Sequence, residues 1–315
     1  MHDEGPTKGP AEVDVASPSL TLKEPLSPSG LNARPKRLPI ARQGQSWERV
    51  SPLGGAKMIP LFTSAPPNPK RLIQGRESGP AWQAMCIESC KQAGFHPVNF
   101  ESDDRPLISD ILTACRQQTD AKIAGIINSD CMVIPHFSLA DRLTQYLDKG
   151  AVVAERINLN PDTLSPTGVT CYGFDAFFFC IDSLADCRTE WRLGDAWWDY
   201  WFPLTFLASG SEIRTLPAPA LIHVDHPTRW DWDSWRNNFR RFSNFVLAHP
   251  DLGIRLPSSP NDFQQIIAFL HDLYASLRSR RPLWTPELDS VDDMLARILI
   301  SMSMQRPEKA ASAAR

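Results

Sequence analysis

The 315-residue chain has no run of the ~18 apolar residues that a membrane-spanning helix needs. It has no charge excess of either sign. Thirty-three Lys and Arg stand against 36 Asp and Glu, a net charge of -3, so nothing general draws it to nucleic acid or to anionic lipid. Its opening residues, MHDEGPTKGP, hold no apolar stretch of the secretory kind, and the expected location is cytoplasmic. Cys-x-x-Cys is absent. The seven cysteines (Cys86, Cys90, Cys115, Cys131, Cys171, Cys180 and Cys187) are odd in number and sit mostly in apolar stretches. They read as reduced core thiols, not as a disulfide framework or a zinc site. No Gly-x-Gly-x-x-Gly follows the first apolar run, where TSAPPNP stands instead, which excludes a dinucleotide-dependent dehydrogenase. Gly-x-Ser-x-Gly is missing too, since Gly210-Ser211 lacks its context. Clustered histidines are also missing. His96 and His136 stand alone, so a metal-dependent hydrolase would have to be assembled from Asp130, His223, Asp225 and His226.

What is present is a large core. With 42% apolar and 22% charged residues, the chain can bury a full domain. Residues 1–56 are rich in Pro, Ser and Gly, lack any period and carry a basic RPKR at 34–37; they read as a disordered tail. Residues 306–315 read as a frayed end. Between the tails, apolar runs alternate with helical patterns. KMIPLFTSA (57–65) reads as a first strand. AWQAMCIESCKQAG (81–94) reads as a helix closed by Gly94, HPVNFES as a short strand and PLISDILTACRQQT (106–119) as a second helix. LADRLTQYLDKG (139–150) reads as a third helix before the strand AVVAERINL. This order implies an α/β fold whose mostly parallel sheet is sandwiched by helices, with any ligand at the carboxyl ends of the strands. The division expected is a core domain over 57–250 and a C-terminal helical extension over 251–305.

Several polar residues interrupt the apolar pattern. The run AGIINSDCMVI (124–134) reads as a buried strand, ending near Asn128, yet carries Asn128, Ser129 and Asp130. A buried carboxylate is costly unless compensated. YGFDAFFFCI (172–181) is an aromatic strand with Gly173, Phe174 and Asp175 at its entrance. In WRLGDAWWDYWFPL (191–204), Asp195 and Asp199 are four apart, which on a helix is one face. Asp195 suits an N-cap as well, and Pro203 suits the start of a second helical piece. The cluster Trp197, Trp198, Tyr200 and Trp201 reads as core packing before sugar stacking. ALIHV delivers His223, Asp225 and His226 to a strand end, and strand alternation puts His223 and Asp225 on one side with His226 opposite. Trp232, Trp235, Phe239, Phe242 and Val246 form a helical apolar stripe, and Arg236 and Arg240 lie on the other face.

These residues, in this order over about 58–245, resemble the nucleotide-diphospho-sugar transferases of the GT-A glycosyltransferase fold. More closely, it resembles a branch of glycosyltransferase-like proteins whose central motif is Asn-x-Asp instead of Asp-x-Asp. The resemblance implies a metal-dependent transfer of a sugar from a nucleotide-diphosphate donor to a hydroxyl acceptor, in which an in-line displacement would invert the anomeric centre. It implies Asp130 and His223 as ligands of Mn²⁺ or Mg²⁺, with Asn128 and Ser129 beside the donor. It implies Asp199, then Asp195, as the base that deprotonates the acceptor. Gly173, Phe174 and Asp175 would line the donor sugar, and Thr63 and Ser64 the base and ribose. Asn128 departs from the family pattern and removes one charge from the metal site. A non-catalytic binding module on the same scaffold is the competing reading.

Overall fold

A sheet whose middle strands are apolar on both faces must be covered on both faces, and this one is. The computed structural model describes residues 58–64, 69, 71–100, 105–117, 121–134, 139–169, 173–184, 189–226 and 231–283. The expected tails, 1–56 and 306–315, lie outside the described residues, as do Cys171 and Cys187. The strands are β1 (Ile59–Thr63), β2 (Leu72–Ile73), β3 (Arg76–Glu77), β4 (Phe95–Asn99), β5 (Ile123–Ile127), β6 (Cys131–Val133), β7 (Ala151–Leu159), β8 (Pro166–Val169), β9 (Ala176–Cys180) and β10 (Ile213–Val224). The helices are α1 (Gly79–Gln92), α2 (Ile108–Gln117), α3 (Leu139–Tyr146), α4 (Trp198–Ala208), α5 (Trp232–Ala248) and α6 (Phe263–Arg278).

The main sheet has eight strands in the order β4-β1-β5-β9-β7-β10-β6, with β8 paired to β7. Strands β4, β1, β5, β7 and β10 point one way, and β6, β8 and β9 point the other. The sheet is therefore mixed but mostly parallel. The antiparallel β9 sits at its centre, between β5 and β7. Side chains alternate between the two layers. Phe62, Ile126, Val153, Phe177 and Phe179 pack with α2, α4, α5 and α6. Leu61, Ile127, Val152, Phe178 and Leu221 pack with α1 and α3. The result is the Rossmann-like, GT-A-like α/β sandwich, with its helical C-terminal extension packed into the first of these clusters through Ile266, Phe269, Leu270, Leu273 and Leu277.

Two local expectations give way. The run at 124–134 is two strands, not one. Asn128–Asp130 form a tight turn in which Cys131 N donates to Asn128 O at 3.1 Å, and the chain then leaves β5 to join β10 as β6. Pro203 does not start a new helix. Helix α4 runs through it from Trp198, at the loss of one intrahelical hydrogen bond, and Phe202 and Phe206 pack edge-on at 5.4 Å. All four members of the Trp197–Trp201 aromatic cluster are buried. Five described cysteines are buried free thiols. No helix among the described residues is long and apolar enough to cross a membrane.

The joint between α3 and β7 depends on Gly150, whose φ is +76°. A Cβ there would stand 2.1 Å from the carbonyl oxygen of Glu212. Left-handed backbone costs an L-residue ~1–2 kcal/mol even without a clash. Gly150→Ala is therefore expected to lower unfolding free energy by at least ~2 kcal/mol, measured by urea titration.

Candidate functional site

The site grows out of strand register. In the parallel pair of β7 and β10, Asn158 lies opposite His223; in the antiparallel pair of β10 and β6, His223 lies opposite Cys131. Because β6 runs against β10, one step back from Cys131 is one step past His223. That places Asp130 beside the end of β10.

Asp130 is met there by three side chains. Arg71 Nη2 lies 2.6 Å from its Oδ2, His226 Nε2 3.2 Å and His223 Nε2 3.6 Å. Its backbone carbonyl accepts from Trp82 Nε1 at 2.9 Å. A quarter of the Asp130 side chain (25%) and of the His226 side chain (26%) is accessible, while His223 is 7% exposed. The cluster is therefore open on one side. Asp130, His223 and His226 form the group among the described residues whose ligand atoms all lie within 4.8 Å of one another. Burial lowers His223 to about 4 against the pull of Asp130, so it is neutral at pH 7.

The tautomer of His223 follows from its other neighbours. Arg156 Nε can only donate, and it donates to Asn158 Oδ1 at 2.9 Å. The same oxygen lies 3.2 Å from His223 Nδ1, so Nδ1 carries the proton and Nε2 presents a lone pair toward Asp130. Two acceptors face each other across 3.6 Å. A cation between them would turn this repulsion into ligation. Ligand atoms ~2.0–2.2 Å from one ion stand roughly 3–3.5 Å apart; the Asp130–His226 pair stands at 3.2 Å, the Asp130–His223 pair at 3.6 Å and all three within 4.8 Å of one another. One carboxylate and two imidazoles suit Mn²⁺ better than Mg²⁺, which favours oxygen throughout. The donor set fits the expected ion.

Behind the cluster lies a brace. Asp175 is buried and ion-paired with Arg156, while its Oδ1 accepts from Asn128 Nδ2 at 2.7 Å. Asn128 and Asp175 thus hold two strand ends together. A carboxylate at position 128 would face that of Asp175, which gives the Asn-x-Asp motif a physical reason. Phe174 stacks on Tyr274 of α6 at 5.1 Å. Its N–H donates to Asp199 Oδ2 at 3.2 Å, and Gly173 lies so close that a Cβ would stand 2.3 Å from that oxygen. Burial pushes Asp199 up to about 7, against its own backbone hydrogen bond, Arg156 and the Phe174 N–H.

The remaining expected residues are dispersed. Asp195 stands outside α4, closing a turn by accepting from Arg192 N at 3.0 Å, with Arg105 3.8 Å away. Burial raises its pKa. It does not share a helix face with Asp199. Asp225 is exposed, and His226, not Asp225, joins His223. The alternation rule fails because β10 ends at Val224. Thr63 is buried with its Oγ1 unpartnered among the described residues. Ser64 is half-buried beside it. Thr63 helps line a small crevice of about 10 Å³ with Leu61, Cys86, Cys90, Asn128 and Ser129. Arg236 lies over the Trp232 ring and Arg240 bonds Asn237. Sequence reasoning missed Arg71, Arg156 and Asn158, although Glu155, Arg156 and Asn158 interrupt an apolar strand as Asp130 does.

No protein-family model matches the chain, and no curated protein matches it. Among solved structures, HddC from Yersinia pseudotuberculosis, crystallised with GMP-PN, is similar at 11% identity and a TM-score of 0.34, covering 59% of this chain and 100% of that one. A protein from Desulfovibrio desulfuricans G20 described as a nucleotide-diphospho-sugar transferase is 13% identical at 0.33, covering 70% of this chain and 98% of that one. A197 from STIV is 9% identical at 0.32, covering 56% and 98%. Likeness at this level says nothing about what the chain does.

Asp199 makes its own test. Its folded value of about 7 stands above the unfolded 3.8, so protonation favours the folded state. The stability it contributes is complete below about pH 4 and drains away as pH rises through 7. Asp199→Asn is neutral throughout. Its melting temperature relative to the parent is expected to be at least ~2 °C more favourable at pH 8 than at pH 5. A constant difference across pH would mean that Asp199 is not held protonated.

Proposed function

We propose that the chain is a metal-dependent glycosyltransferase that takes a sugar from a nucleotide-diphosphate donor and places it on a hydroxyl acceptor. The single observation that carries this reading is the open cluster of Asp130, His223 and His226 at the carboxyl edge of an α/β sheet. Asp130, His223 and His226 would hold the ion, Mn²⁺ by preference. When bound, it would offset charge growing on the leaving diphosphate.

The chain's own residues supply the rest. Asn158 fixes the His223 ring, and Arg156 fixes Asn158. The strand ends that carry Thr63, Ser64 and Asn128 would lie along the nucleoside end of the donor. Asp199, raised to about 7, is basic enough to accept the acceptor's hydroxyl proton and still half-ionised at neutral pH. Its Oδ2 is fixed by the Phe174 N–H, and glycine at 173 permits that close approach, since a Cβ there would stand 2.3 Å from the same oxygen. The new C–O bond forms at the anomeric carbon as the bond to the diphosphate breaks, and attack in line with that bond would invert the centre. Residues 57–250 would carry this site. The C-terminal helix braces it through Tyr274 on Phe174 and through Arg278, whose Nε lies 2.9 Å from the buried Glu155.

A thermal-shift screen with nucleoside diphosphates and their sugar conjugates, each with and without Mn²⁺, tests the donor site. A shift that needs nucleotide and metal together is expected, worth ~2.7 kcal/mol at a hundredfold excess over Kd. Asp130→Ala should abolish it. Asp199→Asn should keep it and lose transfer, and in the parent the rate should rise with pH through about 7 as Asp199 ionises. A response to metal with none to any nucleotide would turn the reading to a metal-dependent hydrolase. Nucleotide binding without turnover would turn it to a binding module.

A further inference from the structure

The carboxylate of Asp130 already has a counterion. Arg71 is 6% exposed, its Nη2 lies 2.6 Å from Asp130 Oδ2 and its Nη1 donates to the carbonyl of Val224 at 3.0 Å. The backbone of Arg71 is tied on both sides, its N–H to Glu77 Oε1 at 2.9 Å and its carbonyl to Ser78 N at 2.8 Å. The hairpin of β2 and β3 turns through Gln74 and Gly75, both at positive φ, and sets this anchor. Only the Arg71 side chain is therefore free to leave.

The oxygen that Arg71 holds is the oxygen nearest both histidines. A divalent ion ligated by Asp130, His223 and His226 would stand within a few ångströms of the guanidinium. Two cations at that separation, in a site mostly closed to water, repel strongly. The ion and the resting position of Arg71 compete for one carboxylate. A diphosphate removes the conflict, because its oxygens ligate a hard cation and also match the guanidinium fork. Ion and doubly charged sugar-diphosphate would together add no net charge to the Arg71–Asp130 pair.

We propose that Arg71 is a resident counterion that is handed from Asp130 to the diphosphate of the donor, so that metal and diphosphate bind as a pair and each binds poorly alone. This rests on the reading of the site given above. It makes Arg71 a donor-binding residue, and it makes the free site closed to stray metal. By linkage, whatever factor the diphosphate adds to metal affinity, the metal adds to diphosphate affinity.

The test is equilibrium dialysis of the full chain with Mn²⁺ alone, with inorganic pyrophosphate or the four common nucleoside diphosphates in chelator, and with both together. In the parent, each partner is expected to tighten the other by at least ~10-fold, a coupling of ~1.4 kcal/mol. Arg71→Gln keeps a donor to Asp130 but no charge. It should bind Mn²⁺ alone ~10-fold more tightly than the parent and lose most of the coupling. Arg71→Lys keeps the charge and should stay poor at binding Mn²⁺ alone. Tight Mn²⁺ binding to the parent without diphosphate, unchanged when diphosphate is added, leaves the metal site standing and overturns the handover. So does Arg71→Gln with the parent's Mn²⁺ affinity. No binding in any arm by folded protein overturns the handover and the site together.

Discussion

One oxygen, Asp130 Oδ2, fixes the arrangement of the whole carboxyl edge. A carboxylate with three-quarters of its side chain covered is tolerable only if the surrounding chain supplies donors, and here the donors come from far apart in sequence. Arg71 comes from the segment after β1, and His223 and His226 from the end of β10. Bringing them together requires that β6 run antiparallel along β10 in one register. A slip of one residue would turn His223 to the other face and take it away from Asp130. Because removing one partner from a buried pair costs more than the pair contributes, the register and the ion pair reinforce each other.

The second half of the chain acts as a rigid floor under that edge. Trp197 stands at φ +73°, a strained conformation for so bulky a residue. It is kept there by rings of Tyr200, Trp235, Phe239, Phe242 and Phe269, with centroids 4.9–6.4 Å away. This packing ends the loop and starts α4 at Trp198, which sets Asp199 one residue into the helix. The carboxylate is then pressed against the Gly173–Phe174 backbone. Dense aromatic packing thus places a titratable group near a strand end, where burial moves it toward neutrality.

The sequence made the layers legible because helical and strand periods are local properties. α1, α2, α3, α5 and β7 fall where the apolar spacing puts them, within a few residues. The direction of β9 and the separation of β6 from β5 were not legible, because both depend on which strand pairs with which. In the site, Asp130 stood out as a charge in an apolar run, and His223 as a histidine at a strand end. His226 was assigned to the wrong side because strand alternation was carried two residues beyond Val224, where the strand stops. Arg71 lies in a segment with no period at all, so only the fold reveals what it touches. Arg156 and Asn158 were within reach, since a charge in the middle of AVVAERINL is the same anomaly as Asp130.

The Asn-x-Asp motif then reads as an exchange of roles more than as a loss. Asn128 donates its amide to Asp175, and Asp175 is the counterion of Arg156, which in turn orients Asn158 and His223. An aspartate at 128 would set two carboxylates against one arginine and weaken the chain of contacts that fixes the His223 ring. Two imidazoles take the place of a second carboxylate around Asp130, and Arg71 already balances the carboxylate's charge. Such a site has little net attraction for a bare divalent ion. In the proposed reading, the negative charge that the motif gave up is brought back by the diphosphate of the donor, so metal dependence and donor binding become one event.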